Sequence, residues 1–231
     1  MSSIALLTAL AVVAAGEYQA IQAMRALAKA AHWEGGATLP AERPIADVLK
    51  SLDADVSTLD ARGQNAAAPG TGKRLRATYV RPYQMHASLG PSCALAHEVD
   101  GQLTVWSHTQ GAYPDRAAIA EMLDMSLDHV RVVHIEGAGC YGHNGADDAA
   151  ADAALIAHRM PGIPVRVQWM REDEHRWEPY GSAMVVEAEA EITDDGAVAD
   201  WAYDLWSTPH VTRPGPAGNL LPARLIDKSF K

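Results

Sequence analysis

The chain has 231 residues, of which 48% are hydrophobic and 21% are charged, close to the usage of ordinary globular proteins. This composition excludes a disordered, collagenous or coiled-coil main state. The formal net charge of −10 repels a phosphate backbone and no basic stripe offsets it, so general nucleic-acid binding is excluded. Two cysteines are too few for a disulfide framework, an all-thiolate zinc site or an iron–sulfur cluster held within this chain.

The first 72 residues predict an N-terminal strand–helix segment followed by a linker. The apolar run over residues 4–15 is too short to span a bilayer, and no Lys or Arg precedes it. It predicts a buried strand or helix, with a cleaved signal peptide as the alternative that stays open. An amphipathic helix is predicted over 17–31 and a short helix over 45–52. The Gly- and Ala-rich residues 63–72 are typical of a linker.

The remaining residues, 73–231, are expected to form the main domain, in which short strands alternate with Ala-rich helices. The predicted elements are strands at 77–83, 93–99 and 103–107, a helix opening at Pro114, a strand at 130–135, a helix ending near Met160, and strands at 165–170, 184–193 and 198–207. Asp-Gly pairs at 100–101 and 195–196 indicate two β-hairpins. The order of elements predicts the α+β class, with mixed sheets, β-hairpins and packed helices.

Two charged segments are expected to be solvated. The basic run at 73–76 precedes a predicted strand and indicates a solvent-exposed edge. The cluster of Asp173, Glu174 and His175 is expected to form a turn between strands. After the second hairpin, no capping element is predicted through residue 231.

The most informative feature is the Gly-rich turn at 137–145, which lies between a predicted strand and a predicted helix. Glycines let the backbone approach a ligand closely, and a helix start presents unpaired N–H donors. The turn therefore indicates either an anion or cofactor site or a plain tight connection. Within it, Tyr141 is expected either to lie flat on a planar ligand or to pack with its hydroxyl at the surface.

Other chemistry in the chain is weaker. None of the ten histidines repeats at helical i, i+4 spacing with an acid between, so no zinc site or other metal-ligating side chain is predicted. Cys140 could act as a nucleophile with His143 as its base, which would make the chain a Cys–His hydrolase. That hypothesis requires a lowered thiol pKa.

Five stretches, at residues 79–94, 106–110, 137–148, 170–181 and 210–215, carry a resemblance in the correct order. They resemble the molybdenum-binding large subunit of the xanthine dehydrogenase and aldehyde oxidase family. The bacterial branch of the isoquinoline 1-oxidoreductase and nicotinate dehydrogenase type is the most similar. The resemblance covers most of the chain, which makes chance a poor explanation.

The resemblance implies a hydroxylase that uses a molybdopterin cytosine dinucleotide cofactor and takes oxygen from water. Electrons would leave through a partner subunit that carries two 2Fe–2S clusters. By analogy with the family, Gln110 hydrogen-bonds an oxygen ligand of molybdenum, Tyr141 walls the pocket, and Gly142 offers its backbone N–H. The cofactor-binding turn would comprise Gly139, Cys140, Gly142 and His143.

The chain also departs from the family pattern. Cys140 replaces a family Gly, and His143 and Asn144 replace Gly-Lys, although the bacterial branch shows this variant. Gly145 stands where xanthine-converting members have a substrate-binding Glu, so a purine substrate is not expected. The family's general base, a Glu in a Gly-x-Gly-Glu segment near the C-terminus, has no counterpart here.

The sequence therefore predicts an incomplete molybdenum hydroxylase subunit that acts on N-heteroaromatics or aldehydes. Its expected partners are the 2Fe–2S subunit, the missing segments of the molybdenum subunit and a small-molecule substrate. Neither nucleic acid nor a membrane span is expected, and the predicted compartment is the cytoplasm, with the periplasm as the alternative. The competing hypothesis is a noncatalytic folded fragment or assembly module that forms homo-oligomers through exposed former interfaces.

Overall fold

A computed structural model describes residues 11–33, 42–53, 55, 57–60, 72–208 and 215–226. The helices are α1 (Glu17–Ala30), α2 (Ile45–Lys50), α3 (Ala112–Leu123), α4 (Ala146–Arg159) and α5 (Arg171–Trp177). The strands are β1 (Lys73–Arg81), β2 (Cys93–Val99), β3 (Gln102–Ser107), β4 (Val130–His134), β5 (Val165–Gln168), β6 (Met184–Ile192) and β7 (Val198–Ser207). The predicted α+β class is confirmed, as are both hairpins and the helix at the position of α1.

The described residues divide into two compact units that interleave along the chain. The first unit draws on Met1–Ala37, His86–Pro179 and Thr212–Lys231, and the second on Thr38–Met85 and Tyr180–Val211. The division into 1–72 and 73–231 inferred from sequence is a different partition and stays a prediction. The proposed strand or helix over residues 4–15 and the linker at 63–72 lie largely outside the described residues.

The first unit contains a mixed four-stranded sheet in the order β4-β3-β2-β5. Strand β3 runs parallel to β4 and antiparallel to β2, and β5 is antiparallel to β2. Along β2 the side chains alternate, so that Ala94 and Ala96 are buried while Cys93 and Leu95 are only partly covered. The buried row faces the core that lies under α3 and α4.

Helix α4 buries an alanine face against this sheet. Its fully buried alanines include Ala149, Ala150, Ala153, Ala154 and Ala157. Because an alanine side chain ends at Cβ, the helix backbone approaches the strands closely, and Ala also has the highest helix propensity. The N-terminus of α4 is thereby brought against the ends of the strands that carry the candidate site.

Helix α5 occupies the segment for which a solvated turn was predicted, so that prediction is wrong. Glu174 is fully buried, and its carboxylate accepts the Ser92 N–H at 2.5 Å. The Asp173 carboxylate accepts the Met170 N–H at 2.8 Å, which satisfies a donor at the start of the helix. A backbone donor that is otherwise unpaired draws Glu174 inward, which composition alone does not reveal.

The chain end also differs from the expectation that no element follows the second hairpin. Two short 3₁₀ turns, Ala217–Asn219 and Pro222–Leu225, pack on the first unit. Leu220 and Ala223 are buried in its core, and the Leu221 N–H donates to the Asp148 carboxylate at 2.8 Å. The run is too short and too polar on its exposed side to show periodicity, which explains why the sequence pattern missed it.

The second unit is built on the antiparallel sheet β1-β6-β7. Its small core joins Leu49 of α2 to Ala183 and Val185. The basic run at the start of β1 lies on an exposed edge strand, as predicted. There Arg74 pairs with Glu189 at 3.1 Å, on exposed side chains that contribute little stability.

None of the helices in the described ranges is long and apolar enough to cross a membrane.

The alanine face of α4 generates a stability prediction. Ala153→Leu inserts three carbon atoms where helix and sheet are in contact, and we expect the free energy of unfolding to fall by about 1–3 kcal/mol. The matched control is Ala26→Leu on the exposed side of α1, for which we expect a change within about 0.5 kcal/mol. Urea unfolding followed by circular dichroism measures both. Equal effects of the two substitutions would contradict the close packing of α4.

Candidate cofactor-binding site

The predicted site residues lie on two loops at one edge of the mixed sheet. Gln110 follows β3 and the Gly-rich turn follows β4. These strands are parallel neighbours whose last residues, Ser107 and His134, are paired in register. The carboxyl ends of adjacent parallel strands meet at the same edge, where ligands commonly bind in α/β sheets. The structure therefore brings Gln110 and the turn to the same end of the sheet.

The backbone on either side of Gln110 is held by hydrogen bonds. Thr109 Oγ1 donates to Asp147 Oδ1 at 2.5 Å and accepts the Gly111 N–H at 3.0 Å. His134 Nδ1 lies 3.0 Å from the Thr109 carbonyl oxygen, the geometry of an Nδ1–H donor. The Gln110 side chain itself is exposed. Its carboxamide is therefore carried on a fixed backbone and is open to a ligand.

The Gly-rich turn adopts a left-handed backbone at three positions. The φ angles of Gly139, Tyr141 and Gly142 are +87°, +47° and +138°. A Cβ at Gly139 would lie 3.0 Å from the Tyr141 ring, so the ring covers the turn's own backbone while the side chain remains 63% exposed. Of the two orientations left open for Tyr141, this is packing on the turn with an exposed ring.

The N–H groups of the turn are unused by the protein. In the described part of the chain, Gly139, Tyr141 and Gly142 donate no backbone hydrogen bond to a protein acceptor. Successive N–H groups in alternating left- and right-handed conformations form a concave nest that accepts electron-rich groups. The start of α4 offers less, because Asn144 Oδ1 already accepts the Ala146 N–H at 3.1 Å. The donors available to a ligand therefore belong to the turn.

His86 supports the turn from behind. A Cβ at Gly142 would overlap the His86 imidazole, which therefore packs directly on that glycine. His86 Nδ1 lies 2.8 Å from the His143 carbonyl oxygen, and the His86 N–H donates to the Glu178 carboxylate. Burial raises the pKa of Glu178. The contacts link the end of α5 to the middle of the turn through a single imidazole ring.

The sequence analysis did not assign this supporting role to His86 or to Glu178. A signal was present, because Glu174 and Glu178 are four residues apart and a helix over this segment would place them on one side. In the structure Glu174 accepts a donor from Ser92 while Glu178 accepts one from His86. The two glutamates thus hold both ends of the loop at 86–92.

Asn144 joins the turn to His108. The Asn144 Nδ2 group donates to the Gly139 carbonyl oxygen at 3.0 Å and lies 3.3 Å from His108 Nδ1. Burial lowers the pKa of His108, and a neutral imidazole can accept from Asn144. A Cβ at Gly137 would lie 2.5 Å from His108 Cγ, so this ring also contacts the beginning of the turn.

The proposed Cys–His pair is not assembled in this structure. His143 Nε2 lies 3.0 Å from Asp147 Oδ2, so the ring is oriented by an acid at the start of α4. Cys140 is half-buried and, within the described ranges, its thiol makes no hydrogen bond to His143. A nucleophile requires its base within hydrogen-bond reach. The described residues also contain no group of three His, Cys, Asp or Glu arranged to hold a metal ion.

Several buried carboxyl groups surround the start of α4. Asp115 is fully buried, and burial, reinforced by Asp147 and Asp148, raises its pKa well above the usual range. Burial likewise raises the pKa of Asp152 to about 7, although its carboxyl accepts the Trp169 Nε1–H at 3.2 Å. The neighbouring acids disfavour an additional buried negative charge.

A cavity of about 380 Å³ lies beside the turn, on the sheet face opposite α4. Its lining includes Cys93, His108, Gly137 and Ala138 but neither Tyr141 nor Gly142. Burial raises the pKa of the Cys93 thiol, so this cysteine is a poor thiolate donor. The cavity therefore borders the first part of the turn only.

Comparison with known proteins identifies the class of this domain. A family profile described as "Molybdopterin cofactor-binding domain" matches residues 55–212. One of the two subunits of nicotinate dehydrogenase from Pseudomonas putida is 40% identical over 211 residues, which is 91% of this chain and 17% of that protein. A probable xanthine dehydrogenase subunit from Bacillus subtilis is 31% identical over 100 residues, 43% of this chain and 13% of that protein.

Two solved structures show the same fold. Quinoline 2-oxidoreductase from Pseudomonas putida 86 has a TM-score of 0.50 at 16% identity and covers 57% of this chain and 17% of that chain. Reconstituted CO dehydrogenase from Oligotropha carboxidovorans has a TM-score of 0.51 at 14% identity, covering 58% and 17%.

The chain belongs to the molybdopterin cofactor-binding domain family, in the xanthine dehydrogenase group of molybdenum oxidoreductases. It spans less than a fifth of the length of the curated relatives it matches. The resemblance of the Gly-rich turn and its neighbours to this family is therefore confirmed at the level of the domain. The roles of individual site residues stay predictions.

The geometry of Gly142 predicts a large cost of substitution. Gly142→Ala places Cβ against His86 at a φ that only glycine readily adopts, so we expect a loss of about 2–4 kcal/mol in the free energy of unfolding. Gly101→Ala is the control, because Gly101 has φ +75° but nothing within 4 Å of the added Cβ. It should cost about 1 kcal/mol. Equal losses in urea unfolding would contradict the His86 contact.

The raised pKa of Asp152 predicts a pH dependence of stability. The folded-state pKa of about 7 exceeds the usual 3.8, so the folded chain holds a proton that the unfolded chain releases. This contribution is complete below pH 3.8 and declines as the pH rises through 7. Between about pH 4.5 and 7, we expect wild type to lose up to about 1.4 kcal/mol per pH unit relative to Asp152→Asn. Parallel profiles from urea unfolding would contradict the shift.

Proposed function

We propose that this chain is the molybdenum-cofactor-binding section of a hydroxylase that acts on N-heteroaromatic compounds or aldehydes. The observation that carries the proposal is the Gly-rich turn, where the N–H groups of Gly139, Tyr141 and Gly142 are free of acceptors among the described residues. The exposed Gln110 lies at the same edge of the sheet. This arrangement of donors fits an oxygen- and sulfur-rich cofactor better than a cation.

The residues of the chain have distinct tasks in this proposal. Gln110 and the Gly142 N–H would hold the cofactor by hydrogen bonds, and the absence of a side chain at Gly142 gives access to its backbone. Tyr141 would form one wall of the pocket, since its ring is already exposed beside the turn. Gly139, Cys140 and His143 would complete the cradle, with His143 oriented by Asp147. Preorganised donors of this kind are effective because they need no rearrangement when the ligand arrives.

The cofactor would supply the two-electron chemistry that the protein's side chains lack. When bound, in the cytosine dinucleotide form expected from the resemblance, it supports hydroxylation with oxygen from water and passes electrons to a 2Fe–2S partner. The relative from Pseudomonas putida is named for nicotinate, an N-heteroaromatic acid, which supports the proposed substrate class. We place the reaction in the cytoplasm, where a soluble electron-transfer partner would be available.

The chain alone lacks an assigned general base. Asp152 has a pKa near neutrality, but it is bonded to Trp169 in the core of the first unit and cannot reach a ligand at the turn. A general base contributes roughly 10²–10⁴-fold to a reaction that needs one. We therefore propose that turnover requires segments of the molybdenum subunit other than this one. Without them, the chain is a noncatalytic folded module, which is the second candidate function.

Metal analysis of the protein purified from its native host distinguishes the two candidates. For the enzyme, we expect molybdenum near one atom per chain, together with a co-purifying polypeptide that supplies the missing Glu segment. Inductively coupled plasma mass spectrometry and peptide identification provide both readouts. A preparation with neither molybdenum nor a partner would support the noncatalytic module and contradict the enzyme.

Substitution of Gln110 tests the site within the assembled complex. Gln110→Ala removes a hydrogen-bond donor to the cofactor, and we expect kcat for hydroxylation to fall about 10²–10³-fold. The matched control is Gln102→Ala, an exposed glutamine at the start of the same strand, which should leave kcat within twofold. Molybdenum content must be measured for both variants. Normal turnover by a fully loaded Gln110→Ala complex would remove Gln110 from the site.

A further inference from the structure

The three-stranded sheet of the second unit has two faces of opposite character. In antiparallel strands, residues paired in register project from the same face. One face carries nine apolar residues at its centre: Leu75, Ala77 and Tyr79 of β1, Val186, Ala188 and Ala190 of β6, and Trp201, Tyr203 and Leu205 of β7. The other face carries mostly charged residues: Arg74, Arg76, Glu187, Glu189, Glu191, Asp200 and Asp204.

Only the charged face has a covering element among the described residues. Helix α2 packs there, with Leu49 against Val185 and Lys50 4.9 Å from the centre of the Trp206 ring. On the apolar face, Leu75, Tyr79, Trp201, Tyr203 and Leu205 are between 48% and 64% exposed. This is the reverse of an ordinary two-layer unit, in which the apolar face is covered and the charged face meets solvent.

The area of the apolar face suits a weak dimer. Large aromatic side chains offer about 150–250 Å² each, so five residues that are half exposed present about 500 Å². This is at the upper end of the apolar patches found on monomeric proteins. Two such faces in contact would remove about 1,000 Å² from water, which reaches the lower limit for a specific interface.

The shape of the face is complementary to itself. The bulky row Trp201, Tyr203 and Leu205 on β7 lies beside the small row Ala190, Ala188 and Val186 on β6, at matching heights. A two-fold axis parallel to the strands and midway between β6 and β7 would place each bulky row on the small row of a second copy. Two sheets stacked in this way are about 10 Å apart with interdigitating side chains, as in a β-sandwich.

We propose that the apolar face of the β1-β6-β7 sheet pairs two copies of this chain through reciprocal packing of the β7 bulky row on the β6 small row. The proposal does not depend on the cofactor, because none of these residues belongs to the candidate site. Two rows of different bulk that match in height are a specific requirement of a self-complementary face, and a face built for a helix or a lipid surface has no need of that match.

Sedimentation equilibrium of the 231-residue chain between about 1 and 100 µM tests the proposal. We expect a reversible dimer with a dissociation constant in that range, as befits an interface of about 1,000 Å². Tyr203→Lys places a charge in the centre of the interface and should weaken dimerisation tenfold or more. The control, Ala202→Lys, introduces the same charge on the opposite face of the same strand, beside Glu189, and should change the constant less than twofold.

A second variant tests the arrangement itself. Ala188→Leu fills the small row without adding charge and, in the proposed packing, should also weaken the dimer tenfold or more, while far-UV circular dichroism stays unchanged. A chain that is monomeric at about 100 µM would overturn the proposal and leave the face to a different partner. A dimer that folded Tyr203→Lys leaves intact would overturn it in favour of contact elsewhere. A dimer that tolerates Ala188→Leu would overturn the reciprocal packing.

Discussion

The close approach of α4 to the mixed sheet is the constraint on which the candidate site depends. Five buried alanines bring the helix backbone down onto the strands, and a larger residue at any of them would lift its first turn. That first turn carries Asp147, which receives the Thr109 hydroxyl from the loop after β3 and orients His143 in the turn after β4. One carboxylate thus ties together the two loops that follow the parallel strands, and it can do so only because small residues set the distance between helix and sheet.

The turn is held from outside by groups that do not compete with its donors. His86 packs on Gly142 and faces the His143 carbonyl oxygen, while Asn144 donates to the Gly139 carbonyl oxygen. Both contacts use the carbonyl side of the backbone. The N–H groups of the turn are therefore left available, and water can satisfy them until a ligand does. Glu174 and Glu178 extend this support, since each accepts a backbone donor from the loop that carries His86.

The sequence predicted the elements whose signal is local. Alternation and the Asp-Gly pairs placed both hairpins, and Ala-rich periodicity placed α4 with its acidic first turn. Prediction failed where a long-range partner decides the structure. Glu174 is expected to be a solvated acid until Ser92 is known to lie beside it, and Leu220 has no predicted element until the core of the first unit is seen to receive it. The positions of Gln110 and the turn at one edge followed from parallel pairing, which no local pattern encodes.

The two units separate two kinds of exposure that have different physical consequences. In the first, the exposed groups are polar donors in a rigid turn; leaving them to water costs little, and their fixed orientation lowers the entropy lost on binding a ligand. In the second, the exposed groups are aromatic and aliphatic, and leaving them to water has a cost that only another apolar surface can offset. A ligand is therefore optional for the fold of the turn. Cover is not optional to the same degree for the apolar face of the β1-β6-β7 sheet, because the favourable free energy of association grows with the apolar area removed from water. That face is thus the part of the chain under the stronger pressure to find a partner, whether or not a cofactor is bound.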